Sequence, residues 1–493
     1  MPDDAQIRRL ALACFLPGFV GPRPPRWLLD GLAGGLGGLV LFSSNLGDPA
    51  NGSAVPALTR QLRAAAGRDL VLGLDEEGGD VTRLDTDRGS TAPGAAALGW
   101  LDDPAATEAV YADIGARLAE AGITLNLAPI ADVNVDPRNP VIGVRSFSAD
   151  PAVAARQVAA AVRGIQRSGV AACAKHFPGH GATSADSHHE VATVHRQRGD
   201  FEAVEFAPFR SAIAAGSRAV MTGHLLAPAL DGDIATVSRP ITTRLLRDSL
   251  GFTGTIVTDA LEMTAVSGTI GMVEGFVAAL IAGADAVETG ARDYPELLRQ
   301  IPVAVLAAVD SGRLSLQRLS DAARRTALLA APGVPAPVSV AERALLETVA
   351  SRCVEVIGEL PRLSRPLVIE CRTENGMATG TLLWSLADRI AERDRACEIL
   401  IVDGPVEVAD LRAAGQGRSL VVVVRDPGRN PWQRAATLAA AAHRADRHNA
   451  VLVDVGWPAE LPDVAADLPL VRTRGIAPGL LAAAAEVLLP QVT

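Results

Sequence analysis

The sequence predicts an α/β protein: a (β/α)8 TIM-type barrel followed by a smaller, doubly wound αβα sandwich domain. Three observations carry that reading. Short β-branched runs alternate strictly with amphipathic Ala/Leu/Arg segments through the first two thirds of the chain. Acids, bases and cations fall at the ends of the β-like runs. A proline-rich break then separates a second, shorter series with the same alternation.

Candidate strands cover 38–42, 70–75, 123–130, 170–177, 218–224, 254–259 and 284–288. Helical stretches lie between them. Asp103-Pro104 and Asp150-Pro151 each open one, with Asp as N-cap and Pro at the first position. Gly122, Gly169 and Gly216 stand where helices should stop. Strict alternation implies a parallel sheet with right-handed crossovers. Seven such units over about 330 residues fit the size of a (β/α)8 barrel. Asp75, Asp132, Lys175-His176, His224 and Asp259 each sit at or just past the end of a candidate strand. In a barrel those ends converge on one face, where active sites form.

The run 331–337 holds three prolines in six residues, which cannot be helix interior. It reads as a stiff linker. Beyond it, 367–371, 398–402, 420–424 and 450–455 look like buried strands separated by Ala-rich helices. Four strands suit a small doubly wound domain. The expected division is a catalytic barrel over 1–331, a linker over 332–341 and a sandwich domain over 342–493.

Composition narrows the function. Hydrophobic residues at 48% and charged residues at 21% describe a globular chain with a sizeable core. Aromatics are only 3%, so that core is built from Ala, Leu and Val. A net charge of −10, without a basic block or basic–aromatic alternation, argues against nucleic-acid binding. Five widely spaced cysteines, Cys14, Cys173, Cys353, Cys371 and Cys397, include no CxxC pair. They suit a reducing compartment better than a disulfide framework. Arg8-Arg9 before 10–14 faintly resembles a lipoprotein signal. Its apolar stretch is shorter than the roughly 7–15 residues an export segment needs. No stretch is apolar enough over ~20 residues to span a membrane. The expectation is a cytoplasmic protein without a membrane or nucleic-acid partner.

Six of the eight histidines lie between His176 and His224, in and after the dense run 175–190. His176 and His180 are four apart, but Pro178-Gly179 forbids the helix that a zinc HxxxH pair needs. Ligands drawn from several strands keep a metal-dependent hydrolase as an alternative. Asp186-Ser187-His188 suits general acid–base work, because an adjacent carboxylate favours the protonated imidazole; a loop Asx-turn is the structural alternative. Asp259 ends an apolar strand and can attack an anomeric carbon, or else cap the next helix. Asp75 begins Asp75-Glu76-Glu77-Gly78-Gly79, where two glycines allow close approach of backbone to a ligand. Its carboxylate can accept two sugar hydroxyls. Arg83 and Arg145 are matching donors, with surface ion pairs as the alternative.

Together these segments resemble the family 3 glycoside hydrolases, in particular their bacterial β-N-acetylglucosaminidase branch. The similarity covers about residues 10–330. It runs through Gly37-Gly38-Leu39-Val40-Leu41-Phe42, Asp75-Glu76-Glu77-Gly78-Gly79, Asn139-Pro140-Val141-Ile142-Gly143 with Arg145-Ser146-Phe147, Lys175-His176-Phe177-Pro178-Gly179-His180-Gly181, Asp186-Ser187-His188 and Thr258-Asp259-Ala260-Leu261-Glu262-Met263. The resemblance implies Asp259 as nucleophile and His188, paired with Asp186, as acid/base. It implies that Asp75, Arg83, Arg145, Lys175 and His176 hold the non-reducing sugar. It implies a retaining exo-glycosidase for terminal β-linked N-acetylglucosamine on small glycans, such as peptidoglycan-recycling fragments or chitooligosaccharides, with no cofactor or metal. A neutral histidine base repels an anionic acceptor less than a carboxylate would, so phosphate could replace water. The sequence departs from the family pattern at Asp80, where Arg commonly stands, and at Ala260, where a second Asp often follows the nucleophile. The sandwich domain is assigned no catalytic residue. A non-catalytic amino-sugar sensor, a metal-dependent barrel hydrolase and a β-glucosidase or β-xylosidase on the same fold are the rival functions.

Overall fold

The computed structural model describes residues 3–47, 54–183, 191–373, 384–458 and 461–490. The chain divides into two compact units. One comprises residues 1–77, 103–142 and 146–343; the other comprises 78–102, 143–145 and 344–493.

The first unit is the barrel. Its strands, named here in chain order, are β1 (Phe15–Leu16), β2 (Gly38–Leu41), β3 (Val71–Leu74), β4 (Leu125–Asn126), β5 (Ala171–Phe177), β6 (Ala219–Thr222), β7 (Thr255–Thr258) and β8 (Val287–Glu288). Neighbours pair in parallel from β2 through to β7. A parallel bridge Val257↔Ala286 joins β7 to the run entering β8. β8 pairs with β1 through Phe15↔Val287 and Leu16↔Glu288, and the Val40 amide donates to the Pro17 carbonyl, which closes the ring. The eighth strand, β1, was not among the seven expected. Two residues are too few to show alternation, and Phe15 lies 272 residues from its partner Val287.

Local chemistry explains the helices as expected. Asp103 accepts from the Ala105 and Ala106 amides at the head of Pro104–Glu120, and Asp150 caps Pro151–Gln166 through the Ala152 amide. Gly122, Gly169 and Gly216 all adopt positive φ at the stops. The proline run packs on the barrel: Gly333 lies where a Cβ would meet the Ser168 carbonyl at 2.3 Å.

The barrel interior is a cluster of small apolar side chains, among them Leu16, Val40, Val71, Leu125, Cys173, Met221, Val257 and Ala286. Burying each larger aliphatic contributes about 1.5–3 kcal/mol. Because side chains alternate along a strand, the residue two positions on faces inward again, one layer nearer the C-terminal mouth.

The second unit contains a six-stranded sheet. Its strands are β9 (Glu355–Ile357), β10 (Leu367–Cys371), β11 (Glu398–Val402), β12 (Leu420–Val424), β13 (Ala450–Asp454) and β14 (Leu470–Arg472). They are ordered β9-β14-β13-β12-β10-β11. Only β9 is antiparallel. Apolar clusters cover both faces, giving an αβα sandwich. β9 and β14 add to the four strands expected. The segments 78–102 and 143–145, which the proline boundary assigned to the barrel, cluster with this unit instead.

One contact within the second unit explains part of that association. Asp80 is buried, and its carboxylate accepts from Arg425 Nη2 at 2.5 Å and from the Ile476 amide at 3.0 Å. The position that departs from the family pattern is therefore the acid of a buried ion pair with an arginine 345 residues away.

Candidate active site

The layer above the barrel core is polar. Two residues beyond Gly73, Cys173, Val257 and Ala286 come Asp75, Lys175, Asp259 and Glu288. The strand period thus places three carboxyl groups and one ammonium at one level of the C-terminal mouth. Lys175, 3% exposed at its side chain, pairs with Asp75 Oδ1 at 2.6 Å and Glu77 Oε1 at 2.9 Å. Two carboxylates and the buried ammonium fix one another, so Asp75 holds a set orientation. The Asn126 side chain bonds both the amide and the carbonyl of Glu76, and Tyr111 donates to the Glu77 carbonyl. The acidic turn after β3 is therefore rigid.

Asp259 follows β7 and is partly exposed. Its amide donates to the Thr222 carbonyl, and its Oδ1 accepts the Ala260 amide at 2.8 Å. His224, beyond β6, steadies the next peptide. Its Nε2 donates to the Ala260 carbonyl at 3.0 Å, so Nδ1 accepts from the Thr236 hydroxyl at 2.8 Å. Burial lowers its pKa, which suits that neutral tautomer.

Asp132 organises the Lys175-His176-Phe177-Pro178-Gly179-His180 turn. Its fully buried carboxylate accepts His176 Nδ1 at 2.8 Å, the His176 amide at 3.1 Å and the His180 amide at 2.7 Å. The carboxylate makes Nδ1 the donor, leaving Nε2 of a neutral His176 ring as acceptor. His180 pairs with Thr183 Oγ1 at 2.7 Å, and burial lowers its pKa to about 4. Gly181 packs where a Cβ would lie 1.8 Å from the Val133 carbonyl. Only glycine fits there, which accounts for the glycine-rich spacing of the motif.

Of the residues singled out from sequence, Asp75, Lys175, His176 and Asp259 come together in the first unit. Arg83 and Arg145 are buried and belong to the second unit, where the helix Ala95–Leu101 packs on the Gly143–Arg145 turn. Asp186 and His188 lie outside the described residues. Sequence reading assigned no role to Glu77, Glu262 or Glu288. Their signal was the same as for Asp75, an acid at or just past the end of an apolar strand. Glu262 Oε1 accepts the Gly290 amide at 2.6 Å, and burial raises its pKa. No helix among the described residues is long and apolar enough to cross a membrane.

Comparison with known proteins agrees with this geometry. Residues 29–329 match the glycosyl hydrolase family 3 N-terminal domain. Beta-hexosaminidase A of Pseudoalteromonas piscicida is 33% identical over 320 residues, covering 60% of this chain and 53% of that protein. This chain therefore spans about half the length of that relative. The beta-hexosaminidase of Thiobacillus denitrificans is 35% identical over 272 residues, 54% of this chain and 74% of its own. The family 3 beta-N-acetylglucosaminidase of Paenibacillus sp. FPU-7 superposes with a TM-score of 0.86 at 32% identity, covering 99% of this chain and 97% of that one.

Proposed function

Because the chain belongs to glycosyl hydrolase family 3, we propose that it is a retaining exo-β-N-acetylglucosaminidase with Asp259 as nucleophile. The observation that carries this is the inward layer of Asp259, Asp75 and Lys175 at the barrel mouth, the first held by the Ala260 amide and the others by each other. In the proposed cycle Asp259 displaces the aglycone and forms a glycosyl ester. His188, supported by Asp186, protonates the departing oxygen and then activates water, and the β configuration is retained. Asp75, Lys175 and His176, all of the first unit, hold the terminal sugar. The substrates are small glycans ending in β-N-acetylglucosamine, such as cell-wall recycling fragments or chitooligosaccharides in the cytoplasm.

The test compares nitrophenyl β-N-acetylglucosaminide with the β-glucoside, for wild type and Asp259→Ala. Release from the acetamido sugar alone, lost in the variant, is expected. Equal release from both sugars would remove the specificity. Undiminished activity of the variant would remove the nucleophile. Running wild type in phosphate buffer and analysing for sugar 1-phosphate decides the acceptor.

A further inference from the structure

Among the acids that this mechanism leaves unused is Glu288. We propose that Glu288 is a positioning residue for the nucleophile: an uncharged carboxylic acid beside Asp259 that keeps a second negative charge out of the sugar site. The proposal rests on the reading of Asp259 as nucleophile.

Register places the two groups together. Val257 pairs with Ala286 across adjacent parallel strands, so Asp259 and Glu288, each two residues on, stand side by side and face the barrel axis. Adjacent strands lie about 4.8 Å apart. Hydrogen bonds pin both backbones there. The Glu288 amide donates to Thr258 Oγ1 at 3.3 Å, and the Leu261 amide donates to the Glu288 carbonyl at 3.1 Å. Glu288 is 4% exposed, and its Oε2 has no hydrogen-bond partner among the described residues.

Carboxylates on adjacent strands repel one another, and the more deeply buried of two is the one whose charged form is disfavoured. Glu288 is buried, whereas Asp259 is partly exposed. The charges facing Glu288 sharpen the asymmetry. Asp259 and Glu262 act from the segment after β7, Asp75 from the end of β3 and Lys175 from β5. The Cys173 thiol lies one layer below Lys175 on β5, and β1 offers only Phe15 and Leu16. Lys175 is the single cation in this set, and it is already shared by Asp75 and Glu77. Burial, then repulsion from Asp259 and Asp75, pushes the Glu288 carboxyl well above the usual range.

An uncharged Glu288 has a free proton to donate toward Asp259 or a substrate hydroxyl, and this defines its effect on rate. Ionising it puts a second anion beside the nucleophile and the glycosyl ester it must form. The rate should therefore fall about tenfold per pH unit above that ionisation. The experiment is the pH profile of kcat/KM on dinitrophenyl β-N-acetylglucosaminide, whose leaving group departs without help from His188. Wild type, Glu288→Gln and Glu288→Met are compared, with Asp259→Ala beside them. Both Glu288 variants should lose the alkaline fall, and Glu288→Gln should stay within about threefold of wild type at neutral pH. Glu288→Met, lacking the hydrogen bond, should be slower at neutral pH but equally flat. Profiles of either folded variant superimposable on wild type would overturn the proposal. So would a neutral-pH loss in Glu288→Gln as deep as that of Asp259→Ala. Persistent activity of Asp259→Ala would instead overturn the nucleophile assignment, so the two failures are distinguishable.

Discussion

Replacing Asp132 with Asn tests the turn that carries Lys175 and His176 with a change of one atom. The carboxylate is fully buried and accepts three N–H groups. An amide keeps one oxygen. That oxygen can still receive the His180 amide, now at 2.7 Å, and the His176 amide, now at 3.1 Å. The NH2 group must then face His176 Nδ1, where Oδ2 now accepts at 2.8 Å. Two donors cannot meet, so the imidazole is driven to the other tautomer. Its proton moves to Nε2, and the edge offered to substrate changes from acceptor to donor. One charge-assisted hydrogen bond is exchanged for a neutral one, a loss of about 1–1.5 kcal/mol in stability. A sugar hydroxyl that donated to Nε2 now faces a donor, and leaving that contact unmade costs about 1–3 kcal/mol. At 1.36 kcal/mol per factor of ten, kcat/KM should fall roughly 5- to 150-fold. Most of the fall should be in KM, because a ground-state contact is removed. The assays are steady-state kinetics on nitrophenyl β-N-acetylglucosaminide, denaturation midpoints, and nitrogen-15 shifts of the His176 ring. The reasoning fails if Asp132→Asn lies within twofold of wild type with an unchanged midpoint and the Nδ1 proton still in place.

Two further predictions concern buried charge. Reversing the pair in the second unit, Asp80→Arg or Arg425→Asp alone, should destabilise by about 3–5 kcal/mol, since each leaves an uncompensated buried charge. The double reversal should recover part of that in chemical denaturation, and no recovery would show that the pair is not coupled. Glu205 is buried behind Gly179, its Oε2 lying 2.6 Å from where a Gly179 Cβ would sit, and burial pushes its pKa up to about 8 despite Arg196. In the fold it keeps a proton that the unfolded chain releases near pH 4.5. Over that interval the unfolded state binds fewer protons, so this group's contribution to stability falls as pH rises from about 4.5 to about 8. Glu205→Gln should flatten that slope in denaturation midpoints taken between pH 5 and 8. An unchanged slope would assign the pH dependence elsewhere.

What was legible in the sequence was mostly local. Aspartate before proline announced two helix starts, and glycine announced the stops, because capping and positive φ involve only the nearest few residues. Alternation identified most strands and the run-ends where acids and bases lie. The motif around Lys175 and His176 stood out because six of the eight histidines fall between His176 and His224, in and after a loop rich in Gly, Ser and Thr. Strands of two residues, such as Phe15–Leu16 and Leu125–Asn126, carry too little pattern to be seen or correctly bounded.

The sequence by itself determined a strand–helix order, a set of strand-end acids and bases, and, through its resemblance, a family. Tertiary structure alone decided which of those groups share a layer. Lys175 meets Asp75 across 100 residues, and Glu288 reaches Asp259 only because the ring closes with β8 between β7 and β1. Asp80 looked like an isolated departure until a partner 345 residues away neutralised it. The physical reason is common to all three. Local rules act over a turn or a strand, whereas burial and charge depend on what the closed sheet brings within a few ångströms.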